Sequence, residues 1–152
     1  MIEKLLTLEN IDVNVNVENW KDAISKAGNI LLKNNKIEER YIQSMIDNVE
    51  NLGAYIVMCD GVAMPHSRPE AGAKDLGISV ITLKTPVSFG NEEFDPVSVV
   101  FAICSNDNNE HLNLLKDLSC ILDDETMVER AKNCNTKEEL LSLLISLIEE
   151  NK

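Results

Sequence analysis

The feature that most constrains the fold is an almost continuously apolar segment at Val97–Cys104, which reads Val-Ser-Val-Val-Phe-Ala-Ile-Cys. A strand with one face in water alternates apolar and polar residues, whereas a strand buried on both faces does not need to. The longest unbroken apolar run, residues 99–104, is far shorter than the roughly 18 residues of a membrane span. We therefore predict a central strand whose sheet is covered by helices on both faces.

Five segments repeat apolar residues at the spacing of an amphipathic helix. Two precede the central strand and three follow it, so both faces of a sheet have helices to cover them. Asn16 is the predicted N-cap of the first helix, Gly53 the predicted stop of the second, and Thr136 opens a predicted capping box with a glutamate before the last. The stripes cover residues 20–31, 41–52, 111–122, 127–131 and 140–148.

Three shorter segments have the composition of strands and complete the predicted sheet. They are residues 55–59, residues 62–64 and residues 78–83. The last alternates apolar and polar residues in part, which predicts a half-buried strand that Pro86 ends. The order of elements predicts an α/β fold, a three-layer α/β/α sandwich with a central mixed β-sheet and helices on both faces. At 152 residues and 44% hydrophobic content, we expect a single domain over residues 1–152.

The net charge and the N-terminal sequence narrow the class of protein further. A formal net charge of −12 argues against a nucleic-acid partner, because such binders neutralise phosphates with basic patches. An acidic surface suits basic protein partners, or simply keeps a protein soluble. The first residues lack the basic flank, the longer apolar region and the cleavage site of a signal peptide, and no segment is long enough for membrane insertion. We predict a cytoplasmic protein.

The cysteines predict free thiols. The four are Cys59, Cys104, Cys120 and Cys134, and none belongs to a Cys-x-x-Cys pair. Cys59 precedes His66 by seven residues, and Cys104 precedes His111 by seven, so a metal site with two cysteines and two histidines is an alternative. Zinc ligands usually come in tight loop pairs, and these cysteines have the surroundings of strand residues. We therefore expect buried thiols, no metal and no cofactor.

One of the two histidines lies in a segment rich in helix-breaking residues. His66 lies within Gly-Val-Ala-Met-Pro-His-Ser-Arg-Pro-Glu-Ala-Gly, residues 61–72, which contains two prolines and two glycines. Such a segment predicts a turn whose direction is fixed by local sterics. A neutral imidazole held in a fixed orientation is a competent nucleophile near neutral pH. His66 is therefore a candidate nucleophile, although an ordinary loop histidine is the alternative.

The second histidine, His111, falls in the first turn of the predicted helix after the central strand, on its apolar face. If the strand ending at Cys104 neighbours the strand leading to His66, that helix begins beside the His66 turn. Free N–H groups and the positive dipole end at a helix start favour an anion such as phosphate. Together with Arg68, these groups predict phosphoryl transfer through histidine, and a His111 that merely packs is the alternative.

Two motifs resemble the enzyme IIA domain of the mannitol/fructose type in the bacterial sugar phosphotransferase system. They are Gly-Val-Ala-Met-Pro-His, ending at His66, and Glu-His-Leu-Asn-Leu-Leu-Lys-Asp-Leu-Ser, which contains His111. Both occur in the order and at the separation of that family. The resemblance implies that His66 accepts a phosphoryl group from the phosphocarrier HPr and passes it to an enzyme IIB. It also implies that His111 assists.

The surroundings of the first motif are similar to ascorbate-type members of that family. The similar stretches are Pro-His-Ser-Arg-Pro-Glu-Ala-Gly and, before it, Leu-Gly-Ala-Tyr-Ile-Val. The resemblance therefore implies ascorbate as the sugar. It also implies a cysteine acceptor, because in those members the enzyme IIB accepts phosphate on a cysteine. The motifs are also compatible with a mannitol or fructose transport component, and with a regulatory EIIA-like protein whose phosphorylation state controls another protein.

The chain also departs from the mannitol/fructose pattern. Those members usually have an Arg-Glu pair and a Ser-Thr-Gly run before Pro-His, whereas this chain has Glu-Asn-Leu-Gly at residues 50–53. We expect Arg68, from the other side of the histidine, and Ser67 to bind the phosphate instead. The partners implied are HPr, an EIIB and, through it, an EIIC, and the acidic surface suits the positive charge that HPr and many IIB domains carry.

Overall fold

Strand β5 (Val97–Cys104) lies in the middle of a five-stranded sheet, and all eight of its residues are buried. The computed structural model describes residues 2–151. Strand β5 pairs antiparallel with one neighbour and parallel with the other, so the sheet is mixed as predicted. The strand order across the sheet is β1 (Ile11–Val15), β4 (Gly77–Val87), β5, β3 (Val62–Ala63) and β2 (Val57–Cys59).

Helices cover both faces of this sheet and confirm the predicted three-layer α/β/α sandwich. From Val99 to Cys104, successive β5 residues alternate between two cores, with Phe101 on one face and Ala102 on the other. One face packs against α2 (Trp20–Lys33) and α3 (Glu39–Leu52). The other packs against the remaining helices, which are α1 (Ile2–Leu5), α4 (Asn108–Leu122), α5 (Met127–Lys132) and α6 (Lys137–Glu150). No helix within residues 2–151 has both the length and the apolar character to cross a bilayer.

Strand β4 differs from its prediction in both burial and length. The prediction of a half-buried strand was wrong, because every residue from Gly77 to Leu83 is buried. Its polar side chains tolerate burial because each has a backbone partner. The Ser79 hydroxyl donates to the Ala27 carbonyl at 2.7 Å, and the Thr82 hydroxyl accepts the Asn14 N–H at 2.9 Å. The strand also continues past the proline at position 86 to Val87, beyond an irregularity in its pairing with β5.

The N-terminal strand was not predicted, and the predicted start of the first long helix was wrong. Strand β1 lies parallel to β4 at the edge of the sheet. Its Ile-Asp-Val-Asn-Val sequence alternates apolar and polar residues, which is the signal that identifies it. Helix α2 begins after Asn19, whose side chain accepts the Asp22 N–H at 2.9 Å, so Asn16 is not the N-cap. At the other strand boundary, Tyr55 and Ile56 form a turn before β2.

The pairing of β3 with β5 determines where the two histidines meet. These strands run parallel, so the loops that follow them leave the same edge of the sheet. The contact continues past the end of β3, where the Ile103 N–H of β5 donates to the Pro65 carbonyl at 3.1 Å. His66 follows β3 closely, and α4 with His111 follows β5. The structure thus confirms that the strand ending at Cys104 neighbours the strand leading to His66.

Candidate active site

A cleft of about 560 Å³ lies at the sheet edge where β3 and β5 end. It is bounded by the turn after β3, by the start of α4 and by the C-terminal part of α3. All four residues that the sequence predicted for the site line this cleft, namely His66, Ser67, Arg68 and His111. The fold therefore brings together residues separated by up to 45 positions in the chain (111 − 66).

The His66 ring is fixed by its own backbone. Its Nδ1 lies 2.8 Å from the Met64 carbonyl oxygen. A carbonyl can only accept, so Nδ1 carries a proton, and in the neutral ring Nε2 therefore carries the free lone pair. The Met64 N–H in turn donates to the Ile56 carbonyl at 2.8 Å, which holds this peptide against the segment before β2. Tyr55 packs edge-on against the ring, with centroids 6.0 Å apart.

Proline explains why the chain takes this path at Met64. Pro65 has no N–H to donate and fixes its own φ, and it disfavours helical backbone at the residue before it. Met64 accordingly lies outside any helix, and its carbonyl is available to a side chain two residues later. Gly61, with a φ of 78°, makes the tight turn between β2 and β3 that leads into this segment.

His111 extends from the core into the cleft. It shares a helix face with Leu114 and Leu118, which are fully buried, but His111 itself is only partly buried and lines the cleft. The predicted inward face is therefore correct, although the ring lies beyond the end of the core. Burial, and to a lesser extent the proximity of His66, lower the pKa of His111 below its ordinary value. The ring is thus neutral at neutral pH and retains one N–H donor.

The start of α4 is less open to an anion than the sequence suggested. Asp107 is the N-cap, and its carboxylate accepts the N–H groups of Asn109 at 2.8 Å and Glu110 at 3.1 Å. Its backbone carbonyl accepts the N–H of His111 at 3.0 Å. These amides are occupied, and Asp107 adds a negative charge at the cleft. A phosphate bound here therefore needs a positive charge from elsewhere.

Ser67 and Arg68 occupy different environments in the same turn. The Ser67 hydroxyl lies 2.5 Å from the Ser44 hydroxyl and accepts from the Asn48 amide at 3.2 Å, so it is directed towards α3. Arg68 lies at the cleft, and within residues 2–151 its guanidinium has no hydrogen-bond or ion-pair partner. Of the two predicted phosphate ligands, Arg68 is the one whose donors remain available.

Polar residues of α3 complete the site, although none of them was predicted to belong to it. The sequence pattern places Tyr41 in a core stripe, but its buried hydroxyl hydrogen-bonds to the backbone of Ser67. Asn48 lines the cleft as well as contacting Ser67. Two signals identify such residues: a buried tyrosine needs a partner for its hydroxyl, and polar residues three and seven positions later share its helix face.

The cysteines do not join the histidines. Cys104 is buried, with its thiol 3.4 Å from the Asp75 carbonyl, and burial raises its pKa to about 12. Cys59 and Cys120 are partly buried rather than buried, whereas Cys134 is buried, and all are free. Among the described residues, no group of three histidine, cysteine or acidic side chains is arranged to hold a metal ion. The metal site with two cysteines and two histidines is therefore not assembled.

Comparison with known proteins gives a consistent result. Residues 4–146 match the family model for the phosphoenolpyruvate-dependent sugar phosphotransferase system, EIIA 2. The ascorbate-specific PTS system EIIA component of Escherichia coli (strain K12) is 33% identical over 143 residues, which cover 93% of each chain. The solution structure of the mannitol-specific cryptic phosphotransferase enzyme IIA CmtB from Escherichia coli has a TM-score of 0.85 and 31% identity, covering 94% of this chain and 97% of that one.

A further solved structure contains a partner protein. It is the complex of enzyme IIAMTL and phosphorylated enzyme IIBMTL from Escherichia coli, which matches this chain with a TM-score of 0.80 and 30% identity. The match covers 93% of this chain and 97% of that one. The match to the family model, over residues 4–146, includes the strands and helices that form the cleft.

The lowered pKa of His111 gives a direct test of the site geometry. We expect His111 to titrate below 6.5, its ordinary value, in an NMR titration of the ring protons. In His66→Gln the His111 midpoint should rise, because the electrostatic effect of His66 on the His111 ring is removed. It should remain below 6.5, because burial lowers the pKa of His111 more than His66 does. The urea-unfolded chain provides the reference. A His111 midpoint at or above 6.5 in the folded protein, or no change in His66→Gln, would contradict this arrangement.

Proposed function

This chain belongs to the EIIA 2 family of the phosphoenolpyruvate-dependent sugar phosphotransferase system, and we propose on that premise that it is a phosphocarrier whose nucleophile is Nε2 of His66. The observation that carries the proposal is the 2.8 Å hydrogen bond between Nδ1 of His66 and the Met64 carbonyl. This bond leaves Nε2 as the ring nitrogen with a free lone pair, on a ring that lines the cleft.

Acceptance of the phosphoryl group requires an in-line displacement. The donor is the phosphohistidine of HPr. The Nε2 lone pair of His66 forms the new N–P bond as the donor's N–P bond breaks, and that electron pair returns to the donor nitrogen. Because Nδ1 keeps its proton, the His66 ring gains positive charge in this step. The Met64 carbonyl then accepts a charge-assisted hydrogen bond from Nδ1–H, which stabilises the phosphorylated ring.

His111 acts on the phosphoryl oxygens. A neutral imidazole at the cleft donates one N–H to a phosphoryl oxygen as negative charge spreads over the three equatorial oxygens. The same negative charge raises the pKa of His111 once the group is bound, so the ring can become cationic at that point without being cationic beforehand. A neutral His111 in the resting state also keeps a positive charge away from neutral His66, where such a charge would lower the basicity of Nε2 and weaken it as a nucleophile.

The acceptor in this proposal is a cysteine of an EIIB partner, and the EIIB in turn connects this chain to the EIIC of the same system. The thiolate attacks phosphorus, an S–P bond forms, and the electron pair of the N–P bond returns to Nε2 of His66. The structure of IIAMTL with phosphorylated IIBMTL supports an EIIB partner, and the ascorbate-specific EIIA of Escherichia coli supports ascorbate as the sugar. A net charge of −12 favours rapid, short-lived encounters with basic partners.

Phosphorylation by the general components tests the nucleophile. Incubation with phosphoenolpyruvate, enzyme I and HPr should label the protein with one phosphoryl group that is labile in acid and stable in alkali. His66→Ala should abolish the label, whereas His111→Gln should accept it roughly 10²-fold more slowly, the cost of removing one oriented donor. Persistence of the label in His66→Ala would disprove the assignment.

Transfer onward separates a transport component from a regulatory protein. The labelled protein, mixed with candidate EIIB proteins of the ascorbate and mannitol types, should pass its phosphoryl group to a cysteine of the ascorbate type. A cysteine-to-serine variant of that EIIB is the control. Retention of the phosphoryl group with every EIIB would favour a regulatory protein, and transfer to the mannitol type alone would change the proposed sugar.

The Asp107 carboxylate places a negative charge at the cleft, so a bound phosphoryl group needs a nearby cation. We propose Arg68 as that cation. Arg68→Gln should slow acceptance from phospho-HPr by about 10- to 100-fold, because a cation that stabilises developing charge is lost. Lys84→Gln is the matched control, since Lys84 is exposed on β4, does not line the cleft and loses the same charge. Equal rates in the two variants would remove Arg68 from the site.

A further inference from the structure

Three polar residues of α3 converge on Ser67, the residue directly after the proposed nucleophile. Tyr41, Ser44 and Asn48 lie three and then four positions apart, which places them on one face of the helix. Tyr41 bonds the Ser67 backbone, and Ser44 and Asn48 bond its hydroxyl. We call these three residues the Ser67 clamp. The buried residues Met45 and Val49 follow Ser44 and Asn48 directly, so the clamp borders the apolar stripe of the helix.

The Tyr41 hydroxyl makes the central contacts of the clamp. The side chain is 0% exposed. Its oxygen accepts the Ser67 N–H at 2.9 Å, and its single proton is shared between the Ile103 carbonyl at 2.9 Å and the Ser67 carbonyl at 3.1 Å. One hydroxyl thereby joins α3, the turn that carries His66, and the end of β5.

Tyr41 keeps its proton under all ordinary conditions. Burial raises the pKa of Tyr41 far above its usual value, and the hydrogen bond from the Ser67 N–H lowers it by less. The hydroxyl is therefore a permanent donor to the two carbonyls as well as an acceptor. Its hydrogen bonds therefore do not change with pH around neutrality.

The backbone of Ile103 holds the residue before His66 in the same turn. Its N–H donates to the Pro65 carbonyl at 3.1 Å, and its carbonyl accepts from Tyr41. His66 thus lies between two anchored neighbours: Pro65, held by β5, and Ser67, held by Tyr41. β5 also leads into α4, the helix that carries His111. These hydrogen bonds therefore connect the turn that carries His66 to the strand that precedes His111.

We infer that Tyr41, supported by Ser44, is a positioning residue for phosphoryl transfer: it holds the His66 turn against the end of β5 so that Nε2 keeps its direction relative to His111. The inference rests on the proposed function. Tyr41 itself does not line the cleft, so it acts through Ser67 and Ile103 rather than on the phosphoryl group. Small errors in the position of a reacting atom are costly, and a displacement of about 1 Å can reduce a rate by about 10²-fold.

The Tyr41→Phe variant tests the inference while keeping the ring in the core. It leaves the Ser67 N–H and two carbonyls without their partner, and relief of these unpaired groups shifts the turn. The maximal rate of acceptance from phospho-HPr should fall by about 10- to 100-fold, with KM for phospho-HPr within about threefold of wild type. KM is preserved because the substitution removes no side chain that lines the cleft, so the groups that contact phospho-HPr are all retained.

Ser79→Ala is the matched control for loss of stability alone. Ser79 is also fully buried, and its hydroxyl also donates to a backbone carbonyl, but it lies in β4 away from the cleft. Ser44→Ala is the second test variant, since Ser44 is only partly buried and its loss removes a contact to Ser67 without touching the core. We expect it to lower the maximal rate severalfold, and we expect Ser79→Ala to leave that rate unchanged.

A spectroscopic readout keeps the test independent of the phosphorylation assay. The ring resonances of His66, including Nδ1–H, should shift in Tyr41→Phe and Ser44→Ala but not in Ser79→Ala. If wild type accepts no phosphoryl group, the proposed function fails, while these resonances still test the positioning. The inference is overturned if both clamp variants match Ser79→Ala in maximal rate and in the His66 resonances, or if their loss appears only in KM. Should Tyr41→Phe not fold, Ser44→Ala decides alone.

Discussion

The hydrogen bond from Nδ1 of His66 to the Met64 carbonyl is the interaction on which this site depends. It selects one tautomer of the ring, so it determines which nitrogen can act as a nucleophile. The bond exists because proline follows Met64 and because the Met64 N–H is anchored to Ile56. The chemistry at the cleft is thus set by backbone geometry two residues earlier in the chain.

The sheet places the second histidine beside the first. Parallel pairing of β3 and β5 brings two loops to one edge, and the core on each face of β5 holds the strand in register. The local charges are then balanced: Asp107 occupies the helix start, His111 is neutral, and Arg68 has no partner among residues 2–151. In the proposed mechanism, Arg68 supplies the positive charge that an incoming phosphoryl group needs at this cleft.

The parts of this structure that follow from sequence are those set by local pattern. The apolar segment that forms β5 indicated the buried strand and the two helical layers, and Pro65 beside His66 indicated a fixed turn. The missed features depend on tertiary contacts. Ser79 of β4 can be buried because its hydroxyl reaches the Ala27 carbonyl of α2. The sequence of β4 alone does not show that this carbonyl is close. Likewise, Tyr41 has the spacing of a core residue, and its role depends on where Ser67 folds back onto α3. The capping of α4 by Asp107 was predictable in kind, but its consequence for an anion required the observed bonds.

The most direct test of the central claim is the state of the His66 ring before and after phosphorylation. Long-range proton–nitrogen NMR correlations on the uniformly ¹⁵N-labelled protein distinguish a protonated from an unprotonated ring nitrogen, and phosphorus coupling identifies the phosphorylated one. We predict a proton on Nδ1 in the free protein and phosphorus on Nε2 in the phosphorylated protein, with Nδ1 still protonated. A proton on Nε2 in the free protein, or phosphorus on Nδ1, would contradict this mechanism.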